Sequence, residues 1–177
     1  MRIISGTHKG RRIAAPPGDS TRPTSDRVRE ALFNILGAVD DASVLDLFAG
    51  SGALGLEALS RGARRCVFVE SDRVATSVIA ENLAKLELTG AVVEKRDALA
   101  VLREAGTRGT TYDLVFCDPP YNDWGSLEPR LAELLRSVLA EEGTLVVETG
   151  AGTEPQLPLD LATSRRYGSA RISIYTR

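Results

Sequence analysis

The segment from Val44 to Gly55 limits the fold more than any other part of this chain. It reads as an apolar strand, 44–47, that runs into a glycine-rich turn and then into a helix. Gly50, Gly52 and Gly55 match the pattern G-x-G-x-x-G, in which glycine lets the backbone turn tightly and approach a ligand closely. This unit predicts a Rossmann-like nucleotide site, but the pattern alone does not name the nucleotide.

Strands and helices alternate after this unit, which indicates an α/β fold with a parallel sheet. Predicted helices lie near 53–61, 73–86 and 127–139, and predicted strands near 66–69, 92–96, 112–117 and 144–148. Residues 157–177 are expected to add final antiparallel edge strands, because 171–175 alternate in polarity. Before this region, residues 2–14 predict a short strand or hairpin, followed by a loop at Pro16-Pro17-Gly18. A helix comes next, capped by Thr24 or Ser25 and ended by Gly37.

Acidic residues end three successive predicted strands. Asp46, just before the glycine turn, suits the ammonium of a methionine moiety better than it suits a dinucleotide pyrophosphate. Glu70 can accept both hydroxyls of a ribose, as it also would from NAD, and Asp97 beside Ala98 can reach an adenine amino group. Taken singly, each acid is equally consistent with a helix cap. Together they favour S-adenosylmethionine as the cofactor.

The tetrapeptide Asp118-Pro119-Pro120-Tyr121 follows a fourth predicted strand and therefore lies at the same edge of the sheet. The prolines stiffen the chain and have no amide hydrogen, so backbone carbonyls near them lack ladder partners. The exocyclic amine of a nucleobase would donate to the Asp118 carboxylate and to such a carbonyl, while Tyr121 stacks on the base. Asp-Pro is also a common turn. In this setting the tetrapeptide predicts direct methyl transfer to the nitrogen of a flipped base, with Asp118 orienting the amine.

Composition is consistent with one enzyme domain, which we expect to be cytoplasmic. The 177 residues, 43% hydrophobic and 26% charged, suffice for a single core, and no apolar stretch approaches the length of a membrane-spanning helix. His8 is the only histidine, and Cys66 and Cys117 lie in apolar strands. No metal site, Cys/His catalytic pair or disulfide is therefore expected.

Charge is uneven along the chain. Residues 1–29 carry a net charge of +5 and residues 30–177 carry −7, which gives −2 overall. A cationic arm with glycines suits the phosphates of RNA or DNA, because cations displace counterions, whereas a solvated hairpin is the alternative interpretation. The candidate RNA-contacting residues are Arg2, Lys9, Arg11, Arg12, Arg22, Arg27 and Arg29.

Four segments together resemble a known family. They are Arg2-Ile3-Ile4-Ser5-Gly6 with Lys9-Gly10-Arg11, Arg22-Pro23-Thr24 with Arg27-Val28-Arg29-Glu30-Ala31-Leu32-Phe33-Asn34, Asp46-Leu47-Phe48-Ala49-Gly50-Ser51-Gly52, and Asp118-Pro119-Pro120-Tyr121. The family is the RsmD-type 16S ribosomal RNA guanine-N2 methyltransferases, within the class I S-adenosylmethionine-dependent methyltransferases. The two N-terminal segments are the specific ones, because the glycine turn belongs to the whole superfamily.

The resemblance implies a Rossmann-like, seven-stranded and mostly parallel sheet with helices on both faces. A basic RNA-contacting extension of hairpin and helix (1–40) would precede an S-adenosylmethionine-binding domain (41–177). The implied cofactor residues are Asp46, Phe48, Gly50, Ser51, Gly52, Glu70, Ser71, Asp97 and Ala98, and the implied catalytic residues are Asp118, Pro119, Pro120 and Tyr121. The implied reaction is methylation of N2 of guanine 966 in 16S RNA, in assembled 30S subunits. A monomer is expected.

Three alternatives stay open. DNA adenine-N6 methyltransferases also carry Asp-Pro-Pro-Tyr. An NAD-dependent oxidoreductase shares the glycine turn and Glu70, but it leaves Asp46 and the double proline unexplained. A non-catalytic RNA-binding assembly factor would explain only the basic arm. Trp124, three residues beyond the tetrapeptide, is expected either to flank the base or simply to pack.

Overall fold

The structure is a computed structural model that describes residues 1–17 and 25–177. Gly18, Arg22 and Thr24 lie outside the described residues, so the predictions for the loop end, for an RNA contact and for one of the two helix caps stay predictions there. Among the described residues, no helix is both long and apolar enough to cross a membrane.

A seven-stranded sheet forms the centre of the molecule. Its strands are β1 (Ser43–Leu47), β2 (Arg65–Glu70), β3 (Ala91–Lys95), β4 (Tyr112–Cys117), β5 (Leu139–Gly150), β6 (Asp160–Tyr167) and β7 (Ala170–Thr176). They lie in the order β3-β2-β1-β4-β5-β7-β6. Strands β1 to β5 pair in parallel, and β7 is antiparallel to both of its neighbours. The prediction of a mostly parallel, seven-stranded α/β sheet is confirmed.

The expectation that residues 157–177 add final antiparallel strands is confirmed for β7, but β7 is not the edge strand. This strand lies between β5 and β6, and β6, which runs in the same direction as β1 to β5, forms the edge. The burial pattern gives the reason: residues 171–175 are all buried, whereas most of β6 is exposed or half-buried. Strand β7 is buried on both faces, so it lies inside the sheet. The more polar and exposed strand β6 is suited to the open edge.

In residues 1–17 and 25–177, five α-helices cover the two faces of the sheet. They are α1 (Asp26–Leu36), α2 (Ala53–Ser60), α3 (Arg73–Leu86), α4 (Ala98–Arg108) and α5 (Trp124–Val138). One apolar cluster joins α1, α2 and α3 to one face, and a second joins α4 and α5 to the other. Helix α4 was not predicted, and α5 begins at Trp124 rather than near residue 127.

The N-terminal segment forms the predicted hairpin and helix. An antiparallel bridge joins Arg2 to Arg12, and the buried side chains of Ile3 and Ile13 belong to the same apolar cluster as α2. The hydroxyl of Ser25 caps α1 by accepting from the amide of Val28 at 3.3 Å. Hairpin and sheet therefore share one core, and a domain boundary near residue 40 stays a prediction.

Candidate active site

The glycine turn connects β1 to α2 at the carboxyl edge of the sheet. Gly50 and Gly52 have φ angles of 53° and 75°, in the left-handed region that favours glycine. Gly55 has a different role: a Cβ there would lie 2.3 Å from Cε1 of Phe68 and 2.6 Å from Sγ of Cys66. The first two glycines thus shape the turn, and the third lets α2 lie directly against β2.

Phe48, between β1 and this turn, has a φ angle of 57°. A bulky residue in the left-handed region is an outlier that costs free energy and persists only where the surrounding structure holds it. Such residues concentrate at functional sites. Strain at Phe48 therefore marks the same turn that the glycine pattern indicates.

Asp46 is buried at the end of β1, with only 2% of its surface exposed. Its Oδ2 accepts a 2.9 Å hydrogen bond from the amide of Gly55, so the carboxylate ties β1 to the first turn of α2. The predicted role toward a methionine ammonium would use the remaining acceptor positions of the same carboxylate.

Glu70 and Asp97 end β2 and follow β3, and both carboxylates engage the backbone. Glu70 accepts from the amide of Gly50 at 2.9 Å and from that of Asp72 at 2.9 Å, so it holds the glycine turn against the start of α3. Asp97 caps α4 through a 2.9 Å bond from Ala100 and stays exposed. The helix-cap interpretation thus holds for Asp97, and its contact with adenine stays a prediction.

Ser71 and Ala98 complete the predicted cofactor set at this edge. Ser71 is exposed beside Glu70, and its hydroxyl lies 3.5 Å from that carboxylate. Ala98 is buried as the first residue of α4. Both adjoin the acids with which they were predicted to act.

The tetrapeptide leaves β4 as a bent rim. The amide of Asp118 donates to the carbonyl of Leu47 at 3.5 Å, which places the rim beside the end of β1. The carbonyl of Pro120 accepts from the amide of Asp123 and is not the unpaired group that was expected. Within the described residues, no hydrogen bond reaches the carbonyls of Asp118 and Pro119.

Tyr121 begins a short 3-10 turn (Tyr121–Asp123) and keeps 37% of its surface exposed. Its ring lies over the backbone of Gly150, where an added Cβ would stand 3.5 Å from Cδ2. Its hydroxyl donates a 2.7 Å hydrogen bond to Oε1 of Glu148. The ring is thus held at the rim with part of its surface open, as stacking on a base requires.

Glu148 is a site residue that sequence reasoning missed. It is 5% exposed near the end of β5, the strand next to β4. The available signal was the acid that ends the predicted strand 144–148, in the same pattern as the acids at the earlier strand ends.

The sheet register brings three acids to one face of this edge. Phe116 pairs with Asp46 on β1 and with Val146 on β5, and side chains two residues apart on a strand share a face. Asp118 and Glu148 each lie two residues beyond that row. Adjacent strands are about 4.8 Å apart, so Asp118 on the middle strand β4 neighbours both Asp46 on β1 and Glu148 on β5.

Burial first, and nearby negative charge second, raise the pKa values of Asp46 and Asp118. Burial raises the pKa of Asp46 to about 7, and the negative charge of Glu70 adds to this, although the amide of Gly55 opposes it. Asp118 keeps some exposure, but its carboxyl is enclosed; this enclosure raises its pKa well above the usual range, and the charges of Glu148 and Asp46 raise it further. An acidic cluster of this kind favours a cationic ligand.

Two further predictions concern residues near the crevice, by which we mean the space beyond the carboxyl ends of β1, β2 and β4. Trp124 is 3% exposed and packs in the α4 and α5 cluster, so it packs rather than flanking a base. Cys66 and Cys117 are buried, free thiols on β2 and β4, with β1 between them. Among the described residues, no His, Cys, Asp or Glu group is arranged to hold a metal ion.

The hairpin is fixed along α2. The buried Glu57 carboxylate accepts from the amides of Ile4 at 2.7 Å and Ser5 at 3.0 Å. Gly6 touches the last turn of α2 so closely that a Cβ would stand 1.7 Å from the carbonyl oxygen of Ser60. Helix α2 runs away from the glycine turn and rises 1.5 Å per residue. The hairpin tip, which contacts the last turn of α2, therefore lies about 10 Å from the glycine turn.

The other end of the hairpin is tied to the glycine turn. Asn82 of α3 accepts from the amide of Ala14 at 2.8 Å and donates to its carbonyl at 3.0 Å. The same side-chain amide donates to the carbonyl of Ser51 at 3.4 Å. The hairpin therefore extends from the crevice along the outside of the fold.

Most of the candidate RNA-contacting side chains are exposed on or beside the hairpin. These are Arg2, Lys9, Arg11, Arg12 and Arg27. Lys85 of α3, which sequence reasoning missed, adds a cation here: its Nζ donates to the carbonyl of Arg12 at 3.0 Å, and Arg11 donates to the Lys85 carbonyl at 2.9 Å. We define Lys9, Arg11, Arg12 and Lys85 as the basic patch.

The prediction that Arg29 contacts RNA is wrong. Its side chain is 0% exposed, donates to the carbonyl of Arg2 and pairs with Asp26 at 3.1 Å. A buried guanidinium has no surface for a phosphate. The position of Arg29 on the inner face of α1 explains the error, because a charge count does not distinguish inward from outward residues.

A family model described as conserved hypothetical protein 95 matches residues 1–176. The chain belongs to this family, the RsmD family. The Bacillus subtilis protein YlbH is 43% identical over 187 residues, which cover 100% of this chain and 99% of YlbH. The ribosomal RNA small subunit methyltransferase D of Escherichia coli is 44% identical over 151 residues, 84% of this chain and 74% of that protein.

A solved structure shares the RsmD-family fold in detail. That of YhhF from Escherichia coli superposes with a TM-score of 0.88 at 37% identity, and the match covers 100% of this chain and 97% of YhhF. A more distant structure with the same fold is the S-adenosylmethionine-dependent methyltransferase from Agrobacterium tumefaciens, with 18% identity and a TM-score of 0.71 over 89% of this chain and 63% of that one. The predictions of family and of a methyltransferase are confirmed, and the fold shared with S-adenosylmethionine-dependent enzymes agrees with the predicted cofactor.

Proposed function

We propose that this RsmD-family chain methylates the exocyclic N2 of guanine 966 in 16S ribosomal RNA, within the assembled 30S subunit. We further propose that it acts as a monomer in the cytoplasm, where this substrate is found. The observation that carries the reaction type is the rim itself: the Asp118 carboxyl lies in an acidic cluster with Asp46 and Glu148 at the carboxyl edge of β1, β4 and β5, and the carbonyls of Asp118 and Pro119 adjoin it.

The residues of the crevice fit the cofactor. S-adenosylmethionine carries an ammonium and a sulfonium, and when bound it supplies an activated methyl group. Asp46 would hold the ammonium, since burial and the charge of Glu70 raise its pKa to about 7 and a cation would relieve that cost. Glu70 would accept the ribose hydroxyls and Asp97 the adenine amine, while Gly50 and Gly52 leave room for close approach.

The rim would prepare the acceptor nitrogen. The lone pair of an exocyclic amine is delocalised into the ring and is a weak nucleophile. If Asp118 accepts one amine hydrogen and the Asp118 or Pro119 carbonyl accepts the other, the lone pair points in a fixed direction and tetrahedral geometry is favoured. Tyr121 would stack on the flipped ring. The methylated nitrogen is strongly acidic and loses its proton readily, so Asp118 acts chiefly by orientation.

The position of the basic patch on the hairpin favours a large, folded nucleic acid as the substrate. The basic patch lies along the outside of α2 and α3, away from the rim, so it would contact phosphates at a distance from the target base. The relatives named as small-subunit ribosomal RNA methyltransferases support ribosomal RNA in particular.

The decisive experiment offers three substrates. Radiolabelled methyl transfer is measured with undermethylated 30S subunits, naked 16S RNA and naked DNA, and the product nucleoside is identified by mass spectrometry. We expect N2-methylguanosine from 30S subunits and little transfer to the other two. N6-methyladenine from DNA would instead establish the adenine alternative, and efficient transfer to naked RNA alone would refute the 30S substrate.

A further inference from the structure

Glu148 lies at the rim without a part in the proposed cofactor site. The pair Cys117 and Val147 aligns β4 with β5, so Asp118 and Glu148 are the next residues on neighbouring strands and share a face. Glu148 is buried, and its charge contributes to the raised pKa of Asp118. Two carboxyl groups therefore converge where the proposed amine binds, although one is enough to orient an amine.

Guanine has a second donor that a second carboxylate would suit. On its Watson–Crick edge the N1–H stands directly beside the N2 amine, so the base presents adjacent donors. Adenine presents an acceptor, N1, beside its amine. A carboxylate only accepts hydrogen bonds, so it would favour the guanine edge and repel the adenine edge.

The contact with Tyr121 uses one acceptor position of the Glu148 carboxylate. The tyrosine hydroxyl donates to Oε1 at 2.7 Å, whereas a carboxylate has about four acceptor positions. This bond also links the two elements of base recognition, because the ring proposed to stack on the base and the carboxylate beside its edge are held together. The rim thus presents a flat face and two acceptors in one rigid unit.

We propose that Glu148 selects guanine by accepting its N1–H while Asp118 orients the N2 amine, an inference that rests on the proposed function. It explains how one Asp-Pro-Pro-Tyr rim can serve guanine rather than adenine. The selecting residue lies on the neighbouring strand, outside the tetrapeptide.

The test uses a base that keeps the methyl acceptor and loses the N1–H. Small-subunit particles are reconstituted with 16S RNA that carries either guanine or 2-aminopurine at the modified position, and single-turnover methyl transfer is measured. We expect the unaltered protein to prefer guanine by about 100-fold, the scale on which a buried acceptor rejects a partner without its hydrogen. Equal rates on the two particles would overturn the proposal without any variant.

Two variants separate base selection from support of Tyr121. Glu148→Gln keeps an acceptor for the tyrosine hydroxyl and offers an amide donor to N1 of 2-aminopurine, so we expect the preference for guanine to shrink at least tenfold, on the order of one lost bond. Tyr121→Phe removes the hydroxyl and leaves the carboxylate, so we expect slower transfer to both bases with an unchanged ratio. Cofactor affinity, measured by calorimetry, checks that each variant is folded.

Each other outcome is decisive. An unchanged ratio in Glu148→Gln, or an equal loss of preference in Tyr121→Phe, would show that Glu148 does not read N1. If the unaltered protein fails to methylate particles that carry guanine, the proposed function fails first and takes this inference with it. Failure of the proposed function is distinguishable, because it is seen with the unaltered protein and particles that carry guanine, without 2-aminopurine or a variant.

Discussion

Asp46 and Gly55 are joined across the glycine turn by a 2.9 Å hydrogen bond from the Gly55 amide to Oδ2 of the carboxylate. The proposed ammonium ligand is therefore also a clamp on the first turn of α2. Asp46→Asn keeps an acceptor for Gly55 but removes the charge, so we expect a stable protein with at least tenfold weaker S-adenosylmethionine binding. Asp46→Ala should lose both stability and binding. Calorimetry and urea unfolding measure the two effects, and undiminished affinity in Asp46→Asn would contradict the assignment.

The pH dependence of cofactor binding follows from the same residue. Burial raises the pKa of Asp46 to about 7 in the folded protein, whereas an unfolded Asp titrates near pH 4. The folded state thus holds a proton that the unfolded state has released, so this group lowers the stability of the cofactor-free protein as pH rises from about 4 to 7.

A bound cation reverses this preference, because it favours the ionised carboxylate. Affinity for S-adenosylmethionine should therefore weaken about tenfold for each pH unit below 7 and level off above it. Binding measured from pH 5 to pH 8.5 tests this, with Asp46→Asn as the control that should show a flatter profile. A profile as steep in the variant would assign the linkage to another group, such as Asp118.

Gly55 offers a test of the packing between α2 and β2. A Cβ would stand 2.3 Å from Cε1 of Phe68, and a buried ring has little freedom to move. Gly55→Ala should therefore destabilise the fold by about 1–3 kcal/mol, the usual cost of overpacking. Gly125→Ala is the matched control in α5: nothing lies within 4 Å of its Cβ, so this change should stabilise the helix slightly. Denaturant midpoints compare the two, and equal midpoints would show that α2 can shift.

Glu57 tests how the hairpin is attached. Its buried carboxylate accepts from the amides of Ile4 and Ser5 and pairs with Arg61 Nε at 2.7 Å. In Glu57→Gln the side-chain NH2 would face one of the groups that now donate to the carboxylate, and that group would lose its acceptor. We therefore expect the free energy of unfolding to fall by about 3–5 kcal/mol. Amide exchange of the hairpin should accelerate more than that of the sheet. Glu104→Gln, which weakens surface ion pairs with Arg96 and Arg108, is the control that should change stability little.

The sequence was sufficient where one local rule dominates. The glycine turn, the acid at each strand end and the strand Tyr112–Cys117 were predicted at the observed positions, because apolar runs and glycines act over a few residues. The helix cap at Ser25 followed in the same way. Helix α4 was missed, although Asp97 was recognised as a possible cap for it.

The errors share a different cause, which is dependence on distant neighbours. Arg29 was counted with the exposed cations, but tertiary packing places it beneath the hairpin. Glu148 acquires its significance only from the register of β4 with β5, which brings it beside Asp118. Strand order, likewise, decided that β7 is internal. No local pattern specifies such relationships.

Two substitutions of Asp118 distinguish orientation of the amine from acceptance of its proton. Asp118→Asn keeps an acceptor oxygen, whereas Asp118→Ala keeps none. If orientation dominates, the Asn variant should retain more single-turnover methyl transfer than the Ala variant, by about one hydrogen bond or roughly tenfold. Equal inactivity of the two variants would show that charge or proton acceptance matters more. Cofactor binding by calorimetry verifies that both variants remain folded.

The basic patch can be tested through salt dependence. Each phosphate that a cation neutralises contributes about 0.7–0.9 to the slope of log affinity against log salt concentration. Arg11→Ala combined with Arg12→Ala should therefore weaken RNA binding and reduce that slope by up to about 2. Arg165→Ala with Arg166→Ala removes the same charge from the exposed edge strand β6, on the opposite edge of the sheet from α3. Filter binding between 50 and 300 mM salt, on the order of the range in which counterion release is measured, compares them. Equal slopes in the two double variants would mean that net charge, and not this patch, attracts the RNA.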